Sequence, residues 1–381
     1  MFLMFLWAVT MNAQSVNMHY DFGNPHIAKF GEYHKVDFKD CMQYGETGSP
    51  SLPYYSVRLL LPQGTEALSA EVYYSDFVEV EGEYNLYPIQ RFISYSSADT
   101  LPFAKNEDIY ASKSEYPQQT HTDVKTHYLN GYAFAFLNFT PLRYVPSTGK
   151  IRYAKTVKVV VDVVPEKEDH SAMLRENHYS MNSVRSLAQN AEMMREYKSR
   201  ASTLPGYDML IVTRDRFVDD FSDYMDYYNS IGIRTKIVST EDIYSEMDGC
   251  DYQEKIRNYI IQEYQNEGIF MVTIGGDVNV VPHRGLYASV NGGDIEDSGI
   301  PADMYYSCLD GNWNNDGDEK WGEVDEYDLL PEIGISRLTF TYSSSQAAKM
   351  IHKSLSYQRD PVLGEFRNVL LGSEKADNTP T

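Results

Sequence analysis

The most specific chemical pattern in the sequence is a run of oxygen-bearing side chains within DGNWNNDGDEKWGE, residues 310–323. With Asn312 in the first position, the residues at positions 3, 5, 7 and 12 also carry oxygen, and Gly317 takes the sixth. This is the spacing of an EF-hand-like calcium loop, in which alternate residues turn oxygens inward and the glycine permits a sharp turn. We therefore expect a structural Ca²⁺ ion held by Asp310, Asn312, Asn314, Asp316, Asp318 and Glu323.

Two of these ligands have a defined role in that hypothesis. Asp318 would contribute its backbone carbonyl, and Glu323 would bind through both carboxylate oxygens. Between Asp294 and Glu332 there are 13 acidic residues and one basic residue, Lys320, so the segment repels itself when no cation is bound. The alternative is a solvated acidic loop that binds no metal.

Thiols and imidazoles are the other candidates for chemistry. Nucleophilic catalysis by cysteine requires a histidine within reach and a donor for the oxyanion. Cys308 lies beside the acidic loop, whose charges raise a thiol pKa, and Cys250 has no histidine near it in sequence. His283 and His352 are the histidines of the second half of the chain. We expect all four side chains to be structural.

The segment Ile274–Pro282, IGGDVNVVP, follows a predicted buried strand, where α/β proteins build many of their sites. Two glycines and Asp277 could suggest a phosphate loop. Because neither glycine-rich phosphate motif is present, a tight turn after the strand is the better interpretation.

The elements that must position these groups change along the chain. Residues 15–165 hold short alternating or β-branched runs divided by Pro and Gly, which predicts antiparallel sheets. From Tyr207 onward short strands alternate with helical stretches, which predicts βαβ units and a parallel sheet. We expect strands near 208–213, 233–238, 269–275, 333–338 and 368–372, and helices near 215–231, 251–267 and 343–358.

Residues 166–206 are polar and favour helix, which indicates a linker or a surface helix between the two halves. Peptidases cut exposed basic segments between folded units, because the substrate backbone must become extended. We expect processing after Arg200, and less readily after Lys198 or Arg195. An uncut surface helix is the alternative.

The composition excludes several classes of function. With 33 Lys and Arg against 55 Asp and Glu, the formal charge of -22 repels nucleic-acid phosphates and gives no general attraction to anionic membranes. Residues 1–14 resemble a secretory signal peptide and are too short to span a bilayer. We expect a secreted or cell-surface protein with no nucleic-acid partner and no membrane span. Three widely spaced cysteines form no disulfide framework.

The order of these features resembles the gingipains, a family of cysteine peptidases (peptidase family C25). In the first half the resemblance rests on Gly48–Pro53, Ser56–Pro62 and Arg143–Gly149. In the second half it rests on Tyr207–Thr213, Gly275–Pro282, Ala302–Tyr306, Ile333–Leu338 and Ser354–Arg359. Ser336 departs from the pattern, since the family often has Gly before this Arg.

The resemblance implies a zymogen whose parts follow one another along the chain. They are a signal peptide, 1–14; a β-rich prodomain, 15–165; the linker with its processing site, 166–206; the first α/β subdomain of a caspase-like catalytic domain, 207–364; and the start of a second, truncated subdomain, 365–381. In the family the second subdomain supplies the catalytic His, followed by Gly, and the Cys. No His here precedes Gly, so both are expected beyond Thr381.

One catalytic residue is carried over by the resemblance. The family places a Glu after the first strand of the second subdomain, and Glu374 occupies the matching position. Its carboxylate would orient the catalytic imidazole and stabilise its charged form. Without the resemblance, Glu374 would be read as an exposed surface residue.

We therefore expect the precursor of a secreted cysteine-type endopeptidase, in which a histidine-activated thiolate attacks peptide bonds. Its partners would be protein or peptide substrates and its own prodomain, acting as an intramolecular inhibitor or chaperone. A catalytically inactive, calcium-stabilised surface or inhibitory binding module is the alternative. A flavodoxin-like small-ligand domain fits less well, because the phosphate motifs are missing.

Overall fold

The computed structural model describes residues 14–91, 101–198, 206–290, 295–324 and 326–364. Most of the predicted signal peptide, the favoured processing residue Arg200, the predicted strand 368–372 and the predicted catalytic residue Glu374 lie outside these ranges. They remain predictions.

The first half of the chain forms antiparallel sheets, as its alternating pattern predicts. Its strands are β1 (Gln14–Asp21), β2 (His26–Phe30), β3 (Tyr33–Asp37), β4 (Cys41–Tyr44), β5 (Leu52–Leu60), β6 (Thr65–Val80), β7 (Lys125–Leu129), β8 (Tyr132–Phe139), β9 (Leu142–Val145) and β10 (Lys150–Pro165). A short helix, α1 (Glu107–Tyr110), precedes β7. One sheet has the order β1-β10-β6, with β9 also paired to β10; the other has the order β4-β5-β8-β7, and β2 pairs with β3.

Period-two alternation places one face of each long strand in the core. Along β10, Val157, Val159, Val161 and Val163 are buried, and the residues between them are partly exposed. They pack against buried side chains of β5 and β8, including Val57 and the aromatic Phe139. The branched and aromatic residues that favour strands therefore also supply this core.

The second half forms a parallel sheet with helices, which confirms the predicted α/β class. Its strands are β11 (Met209–Thr213), β12 (Thr235–Ser239), β13 (Met271–Gly275) and β16 (Gly334–Leu338), in the order β12-β11-β13-β16. An antiparallel hairpin, β14 (Arg284–Val290) with β15 (Ile295–Ala302), lies between β13 and β16 in sequence. The helices are α2 (His178–Leu187), α3 (Ser222–Ser230), α4 (Thr240–Glu246), α5 (Tyr252–Glu267) and α6 (Ser344–Arg359), with α2 lying before the sheet.

Three sequence expectations about elements need correction. The helix expected from Asp215 begins at Ser222, because two 3₁₀ turns first carry Phe217 and Phe221 into the core. Helix α4 was missed, although Ser239 caps its N-terminus by accepting from the Asp242 amide. No strand was predicted between 275 and 333, but this segment contains the β14–β15 hairpin.

The polar segment between the halves is more ordered than a linker. It contains α2, and Asn190 pairs through its side-chain amide with both backbone groups of Leu60, at 2.7 and 2.9 Å. Gln63 makes the same kind of double contact with the backbone of Lys198, at 2.9 and 3.0 Å. These bonds hold the segment up to Lys198 on the β half.

Candidate metal site and the loops around it

Helix α5 anchors the acidic loop. Asp251 caps its N-terminus by accepting from the Glu254 amide, and Gly268 ends it in the left-handed conformation. Arg257 lies on the buried side of this helix and is 6% exposed. Its guanidinium donates to the backbone carbonyls of Cys308, Asp310 and Gly311 at 2.8–3.3 Å. The beginning of the loop is thereby fixed to the α/β core.

The end of the loop is held by a second arginine. Arg284 donates two hydrogen bonds to the Asp251 carboxylate, at 2.7 and 2.9 Å. Its guanidinium carbon lies 3.6 Å from the centroid of the Trp321 ring and 4.6 Å from that of Tyr305. The stacked arginine fixes Trp321 next to the residues of the acidic loop that follow it.

Between these anchors, three carboxylates come together. Asp316, Asp318 and Glu323 each offer an oxygen, and these oxygens lie within 4.8 Å of one another. Asp316 and Asp318 are exposed, and Glu323 is half-buried. We call these three residues the exposed carboxylate group. Three hard oxygen ligands this close suit Ca²⁺, which takes six to eight oxygens and completes its shell with water and carbonyls.

The turn geometry follows from the loop sequence. Gly317 has φ +75°, which favours glycine, and its amide donates to the Asn314 side-chain oxygen at 2.9 Å. The Asn314 amide nitrogen donates to the Asp318 carbonyl at 2.8 Å. Glu326 accepts from the backbone amides of Asn315 and Asp316 at 2.9 and 3.3 Å. The loop is therefore folded by its own side chains as well as by its anchors.

The predicted ligand set is brought together only in part. The side chains of Asp316, Asp318 and Glu323 meet, but the Asn314 oxygen and the Asp318 carbonyl are occupied by the hydrogen bonds that shape the turn. Asn312 is exposed at the beginning of the loop. Asp310 belongs to a different group.

That second group is buried and consists of Asp310, Asp328 and Glu332, which we call the buried carboxylate group. Each is 5–8% exposed. Glu332 accepts from the backbone amide of Leu309 at 2.6 Å and from that of Asn130 at 3.3 Å. Burial raises the pKa of Glu332 well above its usual value, and the neighbouring Asp310 and Asp328 add to the shift. Burial also raises the pKa of Asp310, and it raises that of Asp328 to about 7. The group is thus suited to hold protons.

The carboxyl edge of the parallel sheet carries an ordered turn. Gly276 has φ +122°, and an added Cβ would lie 2.3 Å from Cβ of Val280, so only glycine fits. The side chain of Arg337 joins Asp303 through two hydrogen bonds of 2.6 and 2.7 Å, and also donates to the carbonyls of Gly276 and Val281. This confirms the turn interpretation of 274–282.

The described cysteines are poorly placed as nucleophiles. Cys308 is fully buried, and burial, together with Asp328 and Glu332, raises its thiol pKa. A hydrogen bond with Glu254, with some burial and nearby acidic charge, raises the pKa of Cys250 to about 11. Burial raises the pKa of Cys41 to about 12. A high pKa keeps a thiol protonated and unreactive.

The two histidines of the α/β half serve other roles. His352 contacts Ser356 on the exposed face of α6 at 3.4 Å. The His283 carbonyl accepts from Gln253 at 3.2 Å. In the part of the chain that the structure describes, no hydrogen bond joins either one to Cys250 or Cys308.

Sequence reasoning missed the arginines and the buried carboxylates. Arg257 follows Ile256 and precedes Tyr259 and Ile260 on α5, so a helical wheel would have placed it beside the apolar stripe. A charged side chain in that position needs buried hydrogen-bond acceptors. Its position in the sequence therefore indicates that such acceptors lie next to the helix. Asp328 and Glu332 gave no signal, since they look like every other acidic residue of the segment.

Comparison with known sequences gives two adjacent family matches. The sequence model of the family described as "Propeptide_C25" matches residues 13–193, and that described as "Peptidase family C25" matches residues 202–380. The chain is 26% identical to "Gingipain R2" of Porphyromonas gingivalis over 281 residues, covering 72% of this chain and 36% of that protein. It is 23% identical to "Gingipain R1" of the same organism over 278 residues, covering 72% of this chain and 26% of that protein.

The chain therefore spans about a third or less of the length of these curated relatives. Among solved structures it is similar to "Complex of Porphyromonas gingivalis RgpB pro- and mature domains", with 20% identity, a TM-score of 0.37, and coverage of 48% of this chain and 96% of that one. It is also similar to "Structural insight into zymogenic latency of gingipain K from Porphyromonas gingivalis", with 20% identity, a TM-score of 0.34, and coverage of 41% and 90%.

Proposed function

This chain belongs to peptidase family C25, with the propeptide and the first part of the peptidase domain in succession, and we propose that it is part of a secreted precursor that hydrolyses peptide bonds. The observation that carries the proposal is the order of the two matches along one chain. The β half corresponds to the propeptide match, and the parallel sheet lies within the peptidase match.

The proposed chemistry is attack on the scissile carbonyl by a thiolate that a histidine activates. Cys250 and Cys308 are not the proposed nucleophile, because Cys308 is buried and both thiols have a raised pKa. The proposed role of the described α/β half is to present the carboxyl edge of its sheet, braced by Arg337 and Asp303, to the catalytic residues. Glu374 is proposed to orient the catalytic imidazole.

Export is a further part of the proposal, supported by the signal-peptide pattern of residues 1–14. Among the helices in the described ranges, none combines the length and apolarity needed to cross a membrane. Substrates would be extended protein or peptide segments, and the propeptide would bind its own peptidase domain.

We also propose that the exposed carboxylate group binds Ca²⁺ and stabilises the α/β half. The fit rests on three carboxylate oxygens within 4.8 Å, on Gly317 at the turn, and on the two arginine anchors that fix the ends of the loop. Water molecules would complete the coordination.

The direct test of the peptidase proposal uses the precursor read from the complete gene. After maturation it should hydrolyse labelled casein, and iodoacetamide should abolish the hydrolysis. Cys250→Ala and Cys308→Ala should leave the activity in place. A folded, processed precursor without thiol-dependent hydrolysis would instead support the inactive, calcium-stabilised binding module.

A further inference from the structure

The hairpin between β7 and β8 ends in a two-residue turn that points into the α/β half. Asn130 and Gly131 have φ values of +50° and +77°, the left-handed backbone of the tight hairpin turn. Asparagine and glycine are the residue types that adopt it most readily. Asn130 is nevertheless completely buried, which is unusual for a polar turn residue.

The burial of Asn130 is explained by contacts with the α/β half. Its side-chain amide donates to the Glu332 carbonyl at 2.9 Å and to the Tyr264 hydroxyl at 3.1 Å. Its backbone amide donates to the Glu332 carboxylate at 3.3 Å. One turn residue thus satisfies three acceptors that lie across the boundary between the halves.

A second segment, residues 170–175 in the polar segment between the halves, meets the same place, and we call it the strap. Met173 packs into the core of the α/β half, whereas its neighbour Leu174 packs into a cluster of the β half. The Tyr264 hydroxyl donates to the Met173 carbonyl at 2.8 Å, and Arg175 donates to the Tyr264 carbonyl at 2.5 and 3.2 Å. The strap therefore has one side chain in each core.

The hairpin tip and the strap are in direct contact. A Cβ added to Gly131 would lie 2.4 Å from the backbone nitrogen of Leu174 and 2.8 Å from the Met173 carbonyl carbon. Only glycine permits this approach of two backbones. The tip, the strap and helix α5 consequently form one packed unit.

This unit lies at the amino edge of the parallel sheet. Tyr264 belongs to the last turn of α5, just before β13, and Glu332 lies just before β16. Nearby, Tyr179 of α2 stacks on Phe270, with ring centroids 4.1 Å apart. A strand of five residues separates this edge from the carboxyl edge by about 15 Å.

We propose that the Asn130–Gly131 tip and the strap form a latch that keeps the propeptide bound to the peptidase domain after the chain between them is cut. The proposal rests on the propeptide assignment made above, and its partner is the amino edge with Tyr264 and Glu332. The latch contacts belong to residues up to 179 and from 264 onward, so a cut within 199–205 removes none of them.

The latch has a functional consequence for the precursor. Because the contacts lie at the amino edge, propeptide retention is separate from whatever happens at the carboxyl edge. Weakening the latch should release the cut propeptide and leave the Arg337–Asp303 brace of the carboxyl edge undisturbed.

The test uses the folded 381-residue chain with a specific protease site placed within residues 199–205. After cutting, size-exclusion chromatography and surface plasmon resonance measure whether the two fragments stay together. Asn130→Gly keeps the left-handed turn and the backbone amide but leaves two buried acceptors, the Glu332 carbonyl and the Tyr264 hydroxyl, without their side-chain donor. Asp40→Gly is the matched control, since Asp40 also has positive φ, at +62°, and is exposed on the β half.

The wild-type and Asp40→Gly fragments should co-elute, and Asn130→Gly should bind about tenfold or more weakly, because buried acceptors lose their donor. Tyr264→Phe provides the second variant, and its effect should be less than additive with that of Asn130→Gly, since both act on one hydroxyl. Two results would overturn the latch. One is separation of the wild-type fragments after the cut, and the other is binding in Asn130→Gly and Tyr264→Phe that is as tight as in wild type. The readout needs no peptidase activity, so its failure is distinct from failure of the proposed function.

Discussion

The exposed and buried carboxylate groups differ in environment although both lie within residues 310–332. In the exposed group, Asp316, Asp318 and Glu323 face one another in water, where a cation can relieve their repulsion. In the buried group, the low dielectric disfavours charge and raises the pKa of each carboxyl, and Glu332 accepts a backbone hydrogen bond. The same residue type thus meets water in one place and a low dielectric in the other.

The difference teaches which neighbours decide the role of a carboxylate. Arg257 is a buried cation close to the buried carboxylate group, but its guanidinium donates to backbone carbonyls. Its positive charge lowers the pKa values of Asp310 and Asp328 and so only partly offsets the effect of burial, while its hydrogen bonds fix the chain. Lys320, in contrast, is a partly exposed cation 3.6 Å from Glu323.

The largest effect is expected from Arg257→Leu. The substitution leaves carbonyls at 308, 310 and 311 without a donor and removes the positive charge near the buried group. A buried acceptor left without its donor costs about 1–3 kcal/mol, and three carbonyls share this loss. Urea unfolding of the 381-residue chain should show it, and Arg216→Leu, an exposed arginine, is the control. An Arg257→Leu midpoint equal to wild type would mean that the three carbonyls do not depend on the arginine as their donor.

The next effect is a pH dependence from Asp328. Burial raises its folded pKa from 3.8 to about 7. The folded state therefore holds the proton more tightly than the unfolded state, so this stabilisation is complete below about pH 4 and is lost as the pH rises through about 7. Its full size is roughly 4 kcal/mol, from about 1.4 kcal/mol per pKa unit.

The measurement is the free energy of unfolding at pH 5 and pH 8. Wild type should be the less stable at pH 8, and Asp328→Asn should reduce the difference because the amide does not ionise. Asp316→Asn in the exposed group is the control and should keep the wild-type difference. If the free energy of unfolding differs between pH 5 and pH 8 by the same amount in wild type and in Asp328→Asn, then Asp328 is ionised without penalty in the folded protein.

A smaller effect is expected from Ca²⁺ at the exposed group. A ligand that binds only the folded state adds roughly 2.7 kcal/mol at a hundred times its dissociation constant. For an α/β half of this size that raises the melting temperature by roughly a few degrees. Wild type should melt at a higher temperature with calcium than with chelator. Glu319→Gln is the control and should show the same difference, because its side chain is exposed and lies outside the group.

In Glu323→Ala most of the shift should disappear, because Glu323 supplies the carboxylate that closes the group. A full calcium shift in Glu323→Ala, or none in wild type, would leave the loop as a solvated acidic insertion.

The contrast also shows what the sequence could predict. Spacing in 310–323 identified the exposed group, because local turn chemistry fixes which side chains of a short loop meet. Asp310, which lies before the first position of that spacing and was expected as a further carboxylate, is buried instead, since burial depends on Arg257 and Asn130, which are far away in sequence. No local pattern contains that information.

The fold also has parts that local sequence patterns predict and parts that they do not. Periodicity predicted the antiparallel class of the first half and the four strands of the parallel sheet, because alternation and strand-helix succession are local signals. The β14–β15 hairpin was missed, as its strands carry charged residues and glycines in place of an alternating apolar pattern. The strap was read as linker because its few apolar residues, Met173 and Leu174, are adjacent and serve two different cores.

The smallest expected effect tests whether Lys320 competes with a cation. Its ammonium lies 3.6 Å from Glu323 and 4.8 Å from the centroid of the Tyr287 ring, so it places positive charge beside the exposed group. Lys320→Gln removes that charge, and calcium should then bind more tightly, by roughly two- to fivefold at low ionic strength. The gain should shrink in 0.5 M KCl, because salt screens charges at an exposed site. Isothermal titration at both salt concentrations measures the change, with Lys349→Gln on α6 as the control. If Lys320→Gln binds calcium more weakly, the lysine orders Glu323 for the metal, and the exposed group depends on a fixed neighbour as much as the buried group does.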